Sequence, residues 1–119
     1  MSLNLLAKLE EILNTKFNFG GEKNDAILQL FSLFKSRDWI YPGVIKRTLT
    51  LTIEDVYRIL EALKSERVVE SWYEYCCVHC QRTLGTVQHF NELPEYFECD
   101  FCGETLSSME NTIKIYRVL

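Results

Sequence analysis

No run of apolar residues in this 119-residue chain approaches the ~20 that a helix needs to cross a bilayer. The N-terminal stretch MSLNLLAKLEEILN does not read as a secretory signal either. Glu10 and Glu11 interrupt its apolar pattern, and no small-residue cleavage site follows. A cytoplasmic protein is therefore expected. The motifs of common enzymes are missing too: there is no glycine-rich phosphate loop, no HExxH and no GxSxG. Gly20 and Gly21 form a bare glycine pair. No nucleophile with a positioned base can be named, so the expectation is a non-enzymatic protein with no catalytic residues. Positive charge is scarce in the C-terminal part. Residues 71–119 hold three basic and seven acidic side chains, whereas residues 1–70 hold ten of each. Such a C-terminal surface repels nucleic acid and tolerates a protein partner.

What is present is ordinary globular composition, 47% hydrophobic and 25% charged. Leu5, Leu6, Leu9, Ile12, Leu13 and Phe17 recur at helical spacing, which predicts an amphipathic helix over residues 3–16 closed by NFGG. Its stripe either packs on the following segment or forms a homodimer contact, and packing is the commoner use of such a stripe. Ala26, Ile27, Leu30, Phe31 and Phe34 predict a second helix over about 24–37, broken by DWIYPG. Pro42 suits the first turn of a short helix over 42–48. TLTLT reads as a tight turn. Thr52 is placed to cap a fourth helix whose buried stripe is Val56, Ile59, Leu60 and Leu63. VVESWYEY then switches to β-branched and aromatic residues and reads as a strand. It holds no Gly, Pro or Asn turn before the cysteines, so the strand is expected to run straight into them.

Cys77 and Cys80 are separated by two residues, as are Cys99 and Cys102, with eighteen residues between the pairs. This is the spacing of a four-cysteine zinc site, in which two tight knuckles each offer two thiolates to one tetrahedral ion. Two disulfides are the competing reading, and an intracellular chain with five cysteines argues against them. One structural Zn²⁺ on Cys77, Cys80, Cys99 and Cys102 is expected. Gly103 eases the second knuckle, whereas the first must turn at Gln81. Strand alternation puts Cys76 on the opposite face from Cys77, with Trp72 and Glu74, as a small apolar residue. His79 and His89 are not needed as ligands. RTLGTV, YFEC and NTIKIYRVL read as strands of the ribbon, and HFNELP as a loop.

The expected fold is α+β: an N-terminal amphipathic helix and linker (1–21), a winged-helix-like domain (22–75) and a small antiparallel zinc ribbon (76–119). The order helix, short helix, turn, longer helix, strand resembles a winged helix-turn-helix. Followed by Cys77, Cys80, Cys99 and Cys102, it resembles the N-terminal half of the large subunit of general transcription factor IIE and its archaeal counterpart. The resemblance implies modules that mainly contact other proteins. Two functions follow as alternatives. One is a protein-interaction adaptor or small regulatory subunit. The other is a DNA-binding transcriptional regulator. The outward positions of the would-be recognition helix, Glu54, Asp55, Arg58, Glu61, Lys64 and Ser65, include three acids. Major-groove readers more often present Arg, Lys, Asn or Gln. Lys46, Arg47, Arg58 and Lys64 leave a modest basic edge. The charge balance favours the adaptor, and nucleic acid stays the disfavoured partner.

Overall fold

The computed structural model describes residues 3–119, so the first two residues of the expected 1–21 segment lie outside the described residues. Helix α1 spans Leu3–Lys16, as its apolar spacing predicts. Helix α2 spans Gly21–Phe31, earlier at both ends than the expected 24–37. Two local features explain the shift. Gly20, at φ 93, is the N-cap, and the Asn24 amide already donates to its carbonyl at 2.9 Å. At the other end, Leu33 and Phe34 donate three residues back instead of four, which tightens the chain out of the α-helix. An Asp38 side chain accepting from the Lys35 amide (2.8 Å) and a left-handed Arg37 (φ 74) complete the reversal.

That reversal delivers a strand where the sequence predicts only a break. Strand β1, Trp39–Ile40, is followed at once by α3, Pro42–Leu49, with Pro42 in its first turn. Thr50 ends α3 in the left-handed region (φ 55), costly for a β-branched residue. The ammonium of Lys23 supports it by donating to the Leu49 carbonyl at 3.0 Å. Helix α4, Ile53–Ser65, starts as expected: the Thr52 hydroxyl accepts from the Asp55 amide at 3.1 Å. Val56, Ile59, Leu60 and Leu63 are buried. Strand β2, Val69–Cys77, runs without interruption into the first knuckle. Strands β3 (Arg82–Val87), β4 (Tyr96–Glu98), β5 (Thr105–Ser107) and β6 (Thr112–Val118) follow, with a short 3₁₀ turn at Phe90–Glu92 between β3 and β4. The strand orders are β1-β6-β2-β3 and β4-β5.

The described chain forms two compact units. The first takes the residues up to Glu70 together with Tyr116–Leu119. Its core joins Leu5, Leu9, Ile12 and Leu13 of α1 to Ile27 and Phe31 of α2, Ile45 of α3 and the stripe of α4. The apolar stripe of α1 is thus occupied within its own chain, packed against α4. Tyr116 closes this core. Its hydroxyl donates to Glu61, which is half-buried and does not point outward as the helical spacing suggested. Within this unit β1 pairs antiparallel with the end of β6, Ile40 opposite Tyr116.

The second unit is Ser71–Ile115. Here β2 and β3 pair antiparallel, Tyr75 opposite Gly85 and Cys76 opposite Thr83, so that Leu84 of β3 is the extra residue of a bulge. Strands β4 and β5 form a second hairpin, Phe97 opposite Leu106. The apolar cluster around the cysteines is small: Cys77, Cys99 and Leu106, backed by Cys80, Leu84 and Phe97. So few apolar side chains do not hold a fold of this size alone. The cysteines stand at its centre.

Candidate metal centre

Each pair of cysteines sits on a turn that its sequence builds. Cys77 ends β2 and is fully buried, and Gln81 at φ 55 carries the first knuckle round after Cys80. In the second knuckle the Gly103 amide donates to the Cys99 carbonyl at 2.9 Å, and Gly103 takes φ 76 at no steric cost. The Cys99 amide donates to the Glu104 carbonyl, which closes the loop. Both knuckles therefore need a left-handed residue one step after their second cysteine. Glycine supplies it in one, and glutamine is forced into it in the other.

The two turns bring together the sulfurs of Cys77, Cys80, Cys99 and Cys102, all within 4.8 Å of one another. The Sγ atoms of Cys77 and Cys102 are 3.5 Å apart, as are those of Cys80 and Cys99. Four sulfurs around one ion, with metal–sulfur bonds of about 2.3 Å, are spaced about 3.8 Å apart. The cluster fits one metal ion, and it fits a zinc ribbon. All four thiols are unbridged.

The electrostatics ask for a cation. Burial of Cys99 works to raise its thiol, but the amides of Cys102 and Phe101 and the neighbouring thiols outweigh it and bring it down to about 7. Cys80 goes the other way. Burial and its contacts with Cys99 and Cys77 push it up to about 12. Four neighbouring thiolates cannot coexist without compensation, and a dication provides it.

Cys76 and His79 do not belong to this group. The Cys76 Sγ lies 3.6 Å from the Asn111 carbonyl, and its thiol is pushed up by burial and by the charges of Glu74 and Cys77. The Thr83 hydroxyl donates to Glu74 at 3.3 Å, and Cys76 pairs in register with Thr83, so Glu74 and Cys76 share one face. Tyr75 packs edge-on against Phe97 on the cluster side. His89 has a structural part that sequence reasoning missed. The Glu92 amide donates to the His89 main-chain carbonyl at 3.0 Å while the Glu92 carboxylate accepts from the His89 amide at 3.2 Å, which closes the 3₁₀ turn. The pairing of a polar residue with Glu three positions on was the available signal.

Fold and site together define an α+β protein whose small C-terminal β region carries a four-thiol cluster on two knuckles. Over about half of its length the chain is similar to proteins named Transcription factor E. It is 45% identical over 60 residues to the one from Natronomonas pharaonis, covering 49% of this chain and 32% of that protein. It is 39% identical over 61 residues to the one from Haloarcula marismortui, covering 50% of this chain and 32% of that protein. The resemblance to the archaeal counterpart of the factor IIE large subunit is thereby borne out. The chain spans about a third of the length of these relatives. No protein-family model matches it, and no solved structure does. Among the described residues, no helix is long and apolar enough to cross a membrane.

Proposed function

We propose that this chain is a non-enzymatic interaction module of a transcription apparatus: a small adaptor or regulatory subunit that docks on a larger protein. The observation that carries this reading is the 45% identity to a Transcription factor E over half of the chain. In this reading α2, α3 and α4 with the start of β2 (residues 22–75) form a winged-helix-like domain, and the cysteine module that follows (76–119) is a ribbon held by one structural Zn²⁺. Cys77, Cys80, Cys99 and Cys102 hold the ion. The paired spacing and the 3.5 Å sulfur separations support zinc. The ion would supply folding free energy that the small ribbon core lacks.

A protein partner is favoured over DNA by contacts on α4. Arg58 bonds to Asp55 at 3.0 Å and lies over the Phe17 ring, 4.7 Å from its centroid. Glu61 is engaged by Tyr116. Helix α1 packs against α4 and adds a Lys8–Glu66 ion pair at 3.5 Å. Of the positions on α4 that would read a groove, Glu54, Asp55 and Glu61 are acidic and Arg58 is engaged by Asp55, which leaves Lys64 as the cation without such a contact on this face. The test has two parts. Elemental analysis of fresh reduced protein should find close to one zinc per chain. Duplex DNA at physiological salt should bind weakly, without sequence preference and less as salt rises. A tight site-specific complex lost in Arg58→Ala or Lys64→Ala would overturn the adaptor in favour of the DNA-binding regulator.

A further inference from the structure

We infer that the four-cysteine cluster is a redox-sensitive metal site: a peroxide oxidises Cys102, a disulfide forms between Cys102 and Cys77, and the ion is released. The inference rests on the zinc reading above and adds a regulation of that same site. The four sulfurs are not equally reachable. Cys77 and Cys99 are buried, Cys80 is half-buried, and of the four only Cys102 is exposed. The exposed sulfur lies 3.5 Å from the Cys77 Sγ on the other knuckle. A second contact holds these two positions together. Cys77 pairs in register with Arg82, whose guanidinium stands over the Phe101 ring at 4.1 Å, and Phe101 directly precedes Cys102. A reachable thiolate and a buried one are thus kept side by side across the two knuckles, where a short approach of the sulfurs closes a disulfide.

The thiolate is the reactive form of cysteine, and metal binding holds Cys102 in it. Its sulfur attacks one oxygen of the peroxide, the O–O bond breaks and hydroxide leaves, which gives a sulfenic acid. The Cys77 thiolate then attacks that sulfur, the S–O bond breaks and a second hydroxide leaves. Two thiolates have lost two electrons, and one peroxide has gained them. Cys80 and Cys99 remain as thiolates, two short of the four that a structural zinc site uses, so the ion is lost. The ribbon then loses the folding free energy that the metal supplied. Cys76, whose sulfur lies at the Asn111 carbonyl, takes no part.

The test uses the full zinc-loaded chain, hydrogen peroxide and a colorimetric zinc indicator. Equimolar peroxide should release the zinc, and peptide mapping should then find Cys77 linked to Cys102. Dimedone, which caps sulfenic acids, should mark Cys102 ahead of the other cluster cysteines. A phosphine reductant with added zinc should restore the loaded protein. Cys102→His keeps a metal ligand at that position without the oxidisable sulfur, and its release should be about tenfold slower, since oxidation follows exposed thiolate. Cys76→Ser should release zinc at the unaltered rate. Zinc retained under peroxide, a main linkage within either knuckle, first marking at another cysteine, or release that depends on Cys76 would each overturn the inference. The mapping of the unaltered chain decides even where Cys102→His fails to fold. Fresh reduced protein that holds no zinc before peroxide is added would remove the zinc reading itself, and the inference with it.

Discussion

Gln81 and Gly103 occupy the same step of their knuckles, and only one of them suits it. A left-handed non-glycine residue costs roughly 1–2 kcal/mol, part of which glycine returns as unfolded-state entropy. Gln81→Gly should therefore stabilise the metal-loaded protein by about 0.5–1 kcal/mol in denaturant melts, and Gly103→Ala should destabilise it by about 1 kcal/mol. Gly85 is constrained differently. A Cβ there would lie 2.5 Å from the Tyr75 hydroxyl oxygen and 2.8 Å from its Cζ, while Tyr75 is held against Phe97. Gly85→Ala should cost roughly 1–3 kcal/mol through this overpacking. At the cluster, Cys77→Ser should lose zinc affinity severely. Cys76→Ser should keep its zinc and lose no more than about 1 kcal/mol, since the half-buried thiol makes one long contact to Asn111. A metal-release titration of both variants distinguishes them. The assignment of Cys76 to the far side was legible, because strand alternation survives up to the knuckle. The clash that fixes Gly85 was not, since it depends on which residue faces it across the sheet.

Among the elements, α1 and α4 were legible for the same reason. Each has a long apolar stripe at helical period, and α4 also has a Thr cap that its first turn uses. Leu9 is fully buried between them in the core. Leu9→Ala should lower unfolding free energy by roughly 2–5 kcal/mol, and the chain should sediment as before, because the stripe faces inward. A dimer that dissociates in this variant would contradict that packing. The ends of α2 were harder to read. They are set by Gly20 on one side and the Asp38 turn on the other, local hydrogen bonds that periodicity does not report. Strand β1 was illegible for a plainer reason. Two residues carry no alternation, and Trp39–Ile40 is a strand only because β6 comes to lie beside it. Lys23 likewise caps α3 from a distant helix. Lys23→Met should cost about 1 kcal/mol in a thermal melt by leaving the Leu49 carbonyl without its donor.

At the level of the whole molecule, the paired cysteines announced the second unit because the spacing is specific to one geometry. The sequence could not disclose that the chain returns: Tyr116–Leu119, at the end of an apparent ribbon strand, belong with the helices. Under the zinc proposal, chelation should abolish amide protection in Ser71–Ile115. Protons compete with the metal for thiolates, so zinc should stay bound as pH rises and be released as pH falls, which a colorimetric indicator can follow. The return of the chain has an entropic consequence. Everything from Ser71 to Ile115 is a closed loop as far as the first unit is concerned, and the Cys76 amide bonded to the Asn111 carbonyl at 2.9 Å shows its two ends running side by side. A folded ribbon shortens that loop to a few effective residues. An unfolded one makes Tyr116 find its seat across a long flexible tether. The logarithmic dependence of closure entropy on length makes the difference about 2 kcal/mol. Metal loading should thus raise the melting temperature of helices that no metal touches, and joining residues 70 and 116 by a short linker in place of the ribbon should restore it without any metal.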